Sequence, residues 1–277
     1  MWSDGRMTDL GKERIVTALR DEWASIDELI SGLDDEQWSW PSPLPGWDVR
    51  ANVVHMFGTE AALLGRTPPV KAPADDVEHV KNPIGAVNES WIASYADRSP
   101  SELVDEFRSL TGERLAVLEA MSEEQWNEVG FTPAGQAPYG RFMQIRVFDC
   151  WMHEQDIRYA IRMPGHESGL PVEVSLDEMS HSMGFVVGKK AGAPAGSSVT
   201  FDLRGATSRQ IHVVVGDRAT VVERLDGPAT ATLTMPVVSF AHIAGGRLDR
   251  ELHYPHCTVT GDEDLGRRVL ENLPYTI

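Results

Sequence analysis

A short motif occurs twice in the chain, and it constrains the fold more than any other feature of the sequence. It reads LDDEQW at residues 33–38 and MSEEQW at residues 121–126. Each copy is followed by a loop rich in proline and glycine, and then by an apolar segment with helical spacing that carries a histidine. Two helix–loop–helix halves of this kind predict a four-helix bundle built by duplication.

The helices of this bundle are predicted from apolar residues that recur at steps of three and four. They cover residues 8–31, 49–65, 84–97, 99–121 and 141–162. Asp48 and Ser99 stand directly before two of these segments and are good helix caps, and Pro100 and Glu102 strengthen the second signal. The connecting segments, including GFTPAGQAPYG, are predicted to be loops.

Beyond about residue 170 the sequence changes to β-branched runs separated by turn residues, which favours strands. The runs are SSVTFDLRG, RQIHVVVGD, RATVVERLDGPATATLTMP and HCTVTGD, with helical segments at 176–189, 236–245 and 262–272. We therefore predict two domains: an all-α four-helix bundle at residues 1–167 and an α+β domain at residues 168–277.

Charge and cysteine content restrict the partners and the compartment. The formal net charge is −17, from 42 acidic and 25 basic residues, which argues against binding to nucleic acid or to anionic membranes. Cys150 and Cys257 form no CxxC pair, which fits a reducing cytosol, although a single bridge between them stays an alternative. Neither a secretory signal nor a run of about 18 apolar residues is present. We expect a soluble cytoplasmic protein.

The segment FDCWMHEQDIRYA at residues 148–160 concentrates polar side chains on one predicted helix. Asp149 and His153 are four residues apart, so their side chains stack on one face of that helix. This spacing lets one helix offer two ligands to a divalent metal. His55 is the candidate third ligand, because it lies in the equivalent helix of the first half. Two imidazoles and one carboxylate would leave a coordination position open, as in catalytic sites.

These residues also have plainer interpretations. His55 alone could be a hydrogen-bonded core residue, and Asp149 with His153 could be a buried pair; their coincidence on equivalent helices favours a metal. Asp156, three residues after His153, could orient the second ring nitrogen of that histidine or accept a hydrogen bond from a bound ligand. An ion pair of Asp156 with Arg158 or Arg162 is the alternative.

The neighbouring residues are assigned no ligand role. Glu154 is predicted to point away from Asp149 into solvent, and Cys150 to serve packing. His253 and His256 flank Pro255 in HYPH, so we predict a turn there, with a second metal site as a minor alternative. The remaining histidines fall singly and carry no pattern: His79, His166, His181, His212 and His242. Phosphate-binding, dinucleotide-binding and serine-hydrolase motifs are absent.

Four segments resemble a known family. GWDVRANVVHM resembles the second-helix segment of the DinB-like superfamily, and RVFDCWMHEQDIRYAIRMPG resembles the metal-binding fourth helix of its mycothiol-dependent branch, the maleylpyruvate isomerase-like proteins. ATLTMPVVSFAHIAGG and VTGDEDLGRRVLENL resemble the sterol-carrier-like domain attached to that branch. The resemblance implies a DinB-like four-helix bundle followed by a sterol-carrier-like α+β domain. The isomerase has glutamate where this chain has Asp149, a change that is compatible with metal binding but separates this chain from the isomerase itself.

The resemblance also implies a function. A divalent metal, typically zinc, would be held by His55, Asp149 and His153, with mycothiol as cosubstrate in an actinobacterial cytoplasm. Because a cation stabilises a thiolate, such a site would add a low-molecular-weight thiol to a small electrophile, as an S-transferase or a cis–trans isomerase. Asp156 and Arg158 are the candidate thiol-binding residues. A non-catalytic ligand-binding protein and a metal-dependent hydrolase are the alternatives, and a monomer or homodimer is expected.

Overall fold

The computed structural model describes residues 10–71 and 79–276, and contacts within the chain divide it into two compact units. The first unit is Gly11–Gly165, and the second begins at His166. The first is helical apart from one hairpin, whereas the second combines a five-stranded sheet with helices. The predicted fold class, an all-α domain followed by an α+β domain, is therefore confirmed. None of the helices within the described ranges is long and apolar enough to cross a membrane.

The described part of the first unit contains six α-helices: α1 (Lys12–Ser31), α2 (Val49–Leu63), α3 (Pro83–Ser94), α4 (Pro100–Ala120), α5 (Glu123–Trp126) and α6 (Tyr139–Ala160). Four of them, α1, α2, α4 and α6, form the bundle. Within the bundle, α1 packs against α4 and α6, and α2 packs against the same two helices. The helices predicted from the sequence are present, although residues 8–9, predicted to begin the first of them, lie outside the described residues.

Side-chain caps set the starts of two bundle helices, as predicted. The Asp48 carboxylate accepts a hydrogen bond of 2.8 Å from the Ala51 N–H at the start of α2. Ser99 and Glu102 form a reciprocal capping box at the start of α4. These caps satisfy backbone donors that have no partner within the first turn of a helix.

The segment GFTPAGQAPYG contains a hairpin rather than the predicted loop. Strands β1 (Val129–Thr132) and β2 (Gly135–Pro138) pair antiparallel. The turn closes because Thr132 Oγ1 donates to the Gly135 carbonyl at 2.8 Å, and because Gly135 adopts a φ of +95°, which glycine tolerates without strain. Each strand has only four residues and no alternating pattern, so proline and glycine dominated the sequence signal.

The duplicated motif places one tryptophan of each half in the core. Trp38 and Trp126 are each 1% exposed. Gly140, in the first turn of α6, packs against Trp126 so closely that a Cβ at position 140 would lie 2.7 Å from the indole Cε2. The second copy of the motif thereby fixes the N-terminal turn of α6, the helix that carries Asp149 and His153.

The second unit is a mixed sheet packed against helices. Its elements are α7 (Leu170–Phe185), β3 (Ser198–Arg204), β4 (Arg209–Val215), β5 (Ala219–Val222), β6 (Ala231–Pro236), α8 (Val237–Ala244), α9 (Arg250–His253), β7 (Thr258–Gly261) and α10 (Glu263–Glu271). The strand order is β5-β4-β3-β6-β7, with β3 and β6 parallel and the other pairs antiparallel. Phe201 of β3 and Phe240 of α8 are fully buried, with ring centroids 5.7 Å apart. Strand β6 leads directly into α8, and the contact between the two phenylalanine rings holds α8 against the sheet.

Candidate metal centre

Helices α2 and α6 bring the three predicted metal ligands together. His55 lies in the middle of α2, and Asp149 and His153 lie one turn apart on α6. The His55 Nε2 atom is 3.2 Å from Asp149 Oδ2, and the His153 Nε2 atom is 3.6 Å from Asp149 Oδ1. One nitrogen or oxygen from each side chain lies within 4.8 Å of those from the other two. The structure thus brings together the three side chains that the sequence singled out, and their role as metal ligands stays a prediction.

The arrangement fits a divalent metal ion. A tetrahedral site with bonds of about 2.0–2.1 Å has neighbouring ligand atoms about 3.3 Å apart. The His55 Nε2 to Asp149 Oδ2 separation of 3.2 Å is close to that value, and His153 Nε2 lies 3.6 Å from the other carboxylate oxygen, Oδ1. One ligand atom from each residue lies within 4.8 Å of the others, so the three side chains would close around an ion. Two imidazole nitrogens and a carboxylate oxygen form a donor set that suits zinc and related divalent metals.

The cluster is buried on the histidine side and open at the carboxylate. The side chains of His55 and His153 are 8% and 9% exposed, whereas that of Asp149 is 31% exposed. The Trp47 ring lies beside both imidazoles, with centroid distances of 5.1 Å to His55 and 5.7 Å to His153. A small molecule can therefore reach the cluster from the side of Asp149, next to an aromatic wall.

The orientation of His153 is set by its second ring nitrogen. His153 Nδ1 lies 2.9 Å from Asn52 Oδ1 and 3.3 Å from Asp156 Oδ2, and Asp156 is fully buried. A proton on Nδ1 donated to these acceptors leaves the Nε2 lone pair directed towards Asp149, as in metal sites whose histidines are oriented by hydrogen bonds. Asp156 lies where the sequence predicted. Asn52 was missed, although its position three residues before His55 on the same helix was a usable signal.

A buried charge network holds the carboxylate of the cluster. Arg146 Nη1 pairs with Asp149 Oδ2, and Arg146 Nε donates to Glu60 Oε1 at 2.8 Å. Glu60 Oε2 accepts from Arg114 Nε at 3.0 Å. The side chains of Glu60 and of both arginines are at most 4% exposed. The sequence gives no signal for this network, because its members come from three different helices.

The pKa values of the cluster follow from burial and from these charges. Burial lowers the pKa of His55 despite the attraction of Asp149, which favours the neutral imidazole that binds metals. Burial alone would raise the pKa of Asp149, but Arg146 and the two imidazoles bring it well below its ordinary value. Burial opposes the charge on His153, but Asp149 and Asp156 raise the pKa of this histidine.

The next turn of α6 differs from the sequence prediction. Glu154 is fully buried, so its predicted exposure is wrong. Its Oε1 atom accepts from Ser25 Oγ of α1 and pairs with Arg158 Nη2, both at 2.7 Å. Arg158 is thus held by Glu154 and does not belong to the metal cluster. The assignment of Arg158 and Asp156 to thiol binding stays a prediction. Cys150 is buried, as expected for a packing residue.

The first unit is a four-helix bundle in which two neighbouring helices bring two histidines and one aspartate together, as in the DinB-like bundles that its segments resemble. Family models assign it more narrowly. Residues 19–158 match the mycothiol maleylpyruvate isomerase N-terminal domain, and residues 173–268 match the C-terminal domain of the same family. The chain belongs to the mycothiol-dependent maleylpyruvate isomerase-like family, as the resemblance of its segments predicted.

The chain is also similar to two curated proteins and to solved structures. Two uncharacterized proteins of Mycobacterium tuberculosis, from strains CDC 1551 / Oshkosh and ATCC 25618 / H37Rv, are each 26% identical to the chain over 150 residues. The match covers 53% of this chain and 56% of each relative, so the chain spans only about half the length of these relatives. The crystal structure of the mycothiol-dependent maleylpyruvate isomerase aligns with a TM-score of 0.57 at 18% identity, over 92% of this chain and 96% of that one. A mutant of that enzyme aligns with a TM-score of 0.54. At this identity the likeness concerns the fold.

Proposed function

We propose that the protein is a metal-dependent enzyme that uses mycothiol, or a closely related low-molecular-weight thiol, to modify a small electrophile. The observation that carries this proposal is the convergence of His55, Asp149 and His153 at an opening of the bundle. Membership of the mycothiol-dependent family supports the choice of thiol. The reaction is an S-transfer or a cis–trans isomerisation, and zinc is the proposed metal.

Each residue of the centre has a distinct part in this proposal. His55, Asp149 and His153 would hold the metal, which when bound lowers the pKa of a thiol and stabilises its thiolate near neutral pH. Asn52 and Asp156 orient His153 through its Nδ1 atom. Trp47 forms the wall that a bound thiol or electrophile would contact. The buried histidines exclude water from one side of the centre, and the exposed part of Asp149 marks the entrance.

Metal analysis of the purified protein tests the ligand set without depending on turnover. We expect the wild type to contain a divalent metal and His153→Ala to contain about one equivalent less. His181→Ala, which changes a histidine of α7 in the second unit, is the matched control and should keep the wild-type content. Equal metal content in the wild type and His153→Ala would refute the ligand set.

A screen of electrophiles with and without mycothiol tests the reaction. Conjugation or isomerisation that needs both the thiol and the metal is expected. Turnover of esters or amides without any thiol would instead establish a metal-dependent hydrolase, since the same ligands can activate water. Metal-independent binding of an apolar ligand with no turnover would favour the ligand-binding alternative. Cytoplasmic location belongs to the same proposal, because the thiol pool lies there.

A further inference from the structure

A second histidine–aspartate–histidine cluster lies in the second unit. His242 of α8 and His253 of α9 both point at Asp249, the residue that precedes α9. His242 Nδ1 is 3.0 Å from Asp249 Oδ2, and His253 Nε2 is 3.0 Å from the same oxygen. One ligand atom from each of the three residues lies within 4.8 Å of the others.

The carboxylate and one imidazole of this cluster have the same sequence spacing as those of the centre in the bundle. Asp249 and His253 are separated by four residues, as Asp149 and His153 are, so both carboxylate–imidazole pairs stack along a helical turn. The third member, His242, comes from a preceding helix, as His55 does. The motif DRELH at residues 249–253 thus repeats the ligand spacing of DCWMH at residues 149–153.

The distances and the surroundings suit a divalent cation. The two separations of 3.0 Å are close to the edge of about 3.3 Å expected for a tetrahedral ligand set. His253 Nδ1 lies 3.2 Å from Ser239 Oγ, so its second ring nitrogen has an orienting partner while Nε2 faces the cluster. The two imidazole rings are 4.7 Å apart between centroids.

Burial leaves one way into this cluster. The side chain of His242 is 1% exposed, that of Asp249 is 7% exposed and that of His253 is 13% exposed. An ion would therefore enter beside His253, and the three protein ligands would leave a position for water or another small ligand on that side. A hydrogen-bonded network without an ion is the competing interpretation, and it predicts no saturable metal binding.

We propose that His242, Asp249 and His253 form a second binding site for a divalent transition metal such as zinc. The ion would link α8 to the 249–253 segment, which otherwise has a single helical turn of its own. Because the cost of ordering this short segment would be offset by ligand bonds, metal binding should stabilise the second unit. The proposal does not depend on the activity proposed for the bundle.

The test is a titration of the full-length protein with Co²⁺ after removal of bound metal by a chelator. Visible absorption reports coordination, and equilibrium dialysis gives the stoichiometry. We expect about two ions per chain in the wild type, about one in His153→Ala and about one in His253→Ala. His256→Ala changes an exposed histidine three residues from His253 and should bind as the wild type does.

The outcomes separate the two sites. A wild-type stoichiometry that His253→Ala leaves unchanged would overturn the second site, whatever happens in His153→Ala. Loss of one equivalent in His253→Ala but none in His153→Ala would support the second site and refute the ligand set of the bundle. Asp249→Asn is the companion variant, since it keeps the shape of the side chain and removes its charge. If His253→Ala is misfolded by circular dichroism, an unchanged stoichiometry in Asp249→Asn overturns the site.

Discussion

Replacing Glu60 by glutamine tests the buried network that supports the metal centre. Glu60 bridges Arg114 and Arg146, with one carboxylate oxygen facing each guanidinium at 3.0 and 2.8 Å. Glutamine has nearly the same shape but carries no charge and offers only one carbonyl oxygen as acceptor. Glu60→Gln therefore leaves two buried guanidiniums without the carboxylate that both of them contact.

The expected loss of stability in Glu60→Gln follows from the burial of the network. Glu60 and Arg114 are each 1% exposed, and the Arg146 side chain is 4% exposed, so solvent cannot replace the lost charge. Removing one partner of a buried ion pair costs about 3–5 kcal/mol. We expect the free energy of unfolding of the first unit to fall by that amount. A typical domain has a total of about 5–15 kcal/mol, so the variant should fold but unfold easily.

Urea unfolding, monitored by tryptophan fluorescence, measures the unfolding free energy of the first unit. Seven of the 8 tryptophans, all except Trp2, lie within Gly11–Gly165, so the signal reports mainly the first unit. The protein should be kept metal-free, because bound metal would add its own stabilisation to the folded state. A change in the midpoint at constant slope gives the loss of stability.

Glu113→Gln is the matched control for Glu60→Gln. Glu113 pairs with Arg66 on the surface, where the two side chains are 47% and 45% exposed. Exposed pairs of this kind contribute about 0–1 kcal/mol, so the control should lose little stability. If the two variants shift the midpoint equally, the argument that burial makes the Glu60 network costly to break is refuted.

Three further predictions concern the first unit. Asn52→Ala should weaken metal binding about 10–100-fold in a competition titration, because His153 loses an orienting partner; unchanged affinity would refute that role. Gly112→Ala should raise the unfolding free energy by about 0.5–1 kcal/mol, because alanine loses less backbone entropy in a helix and the added Cβ would meet no atom within 4 Å. Gly140→Ala should lower the unfolding free energy, because the added Cβ would clash with the Trp126 indole. Equal changes of the urea midpoint in the two variants would contradict the described packing. Burial, together with a hydrogen bond to a glutamate, raises the pKa of Tyr95 to about 12, so its stabilising contribution holds below about pH 10 and is lost as pH rises towards 12. Spectrophotometric titration should show a late tyrosinate step that is missing in Tyr95→Phe.

Local signals in the sequence were enough to predict the bundle and the proximity of His55, Asp149 and His153. Periodicity and caps act within one helix, so Asp48 and Ser99 marked helix starts correctly. The stacking of Asp149 and His153 follows from spacing alone, and duplication supplied the one non-local step, the placement of His55 opposite them. The relative positions of these three residues could be predicted because the four-residue spacing fixed two of them and the internal repeat indicated the third.

Polar residues whose partners come from other helices could not be placed in this way. Glu154 was predicted to be exposed because it lies on a different face of α6 from Asp149. However, α6 packs against both α1 and α2, so a second face of the helix is buried as well. Its partners, Ser25 and Arg158, are 129 residues and four residues away, and only the nearer one is visible in the sequence. His242 was missed for the same reason, since a chain reversal after α8 brings it to Asp249.

The charge balance around the centre bears on which ligand it favours. Asp149 and Glu60 carry two negative charges, and Arg146 and Arg114 carry two positive charges, so this network is formally neutral. The buried Asp156 carboxylate beside His153 adds one further negative charge. With neutral imidazoles, a divalent cation in the centre would therefore keep about one of its two charges uncompensated. In a partly buried environment an anionic ligand is then favoured over a neutral one, because the attraction is only weakly screened. The proposed thiolate would meet this requirement, and Arg114 and Arg146 would contribute to the preference because they offset the charges of Glu60 and Asp149.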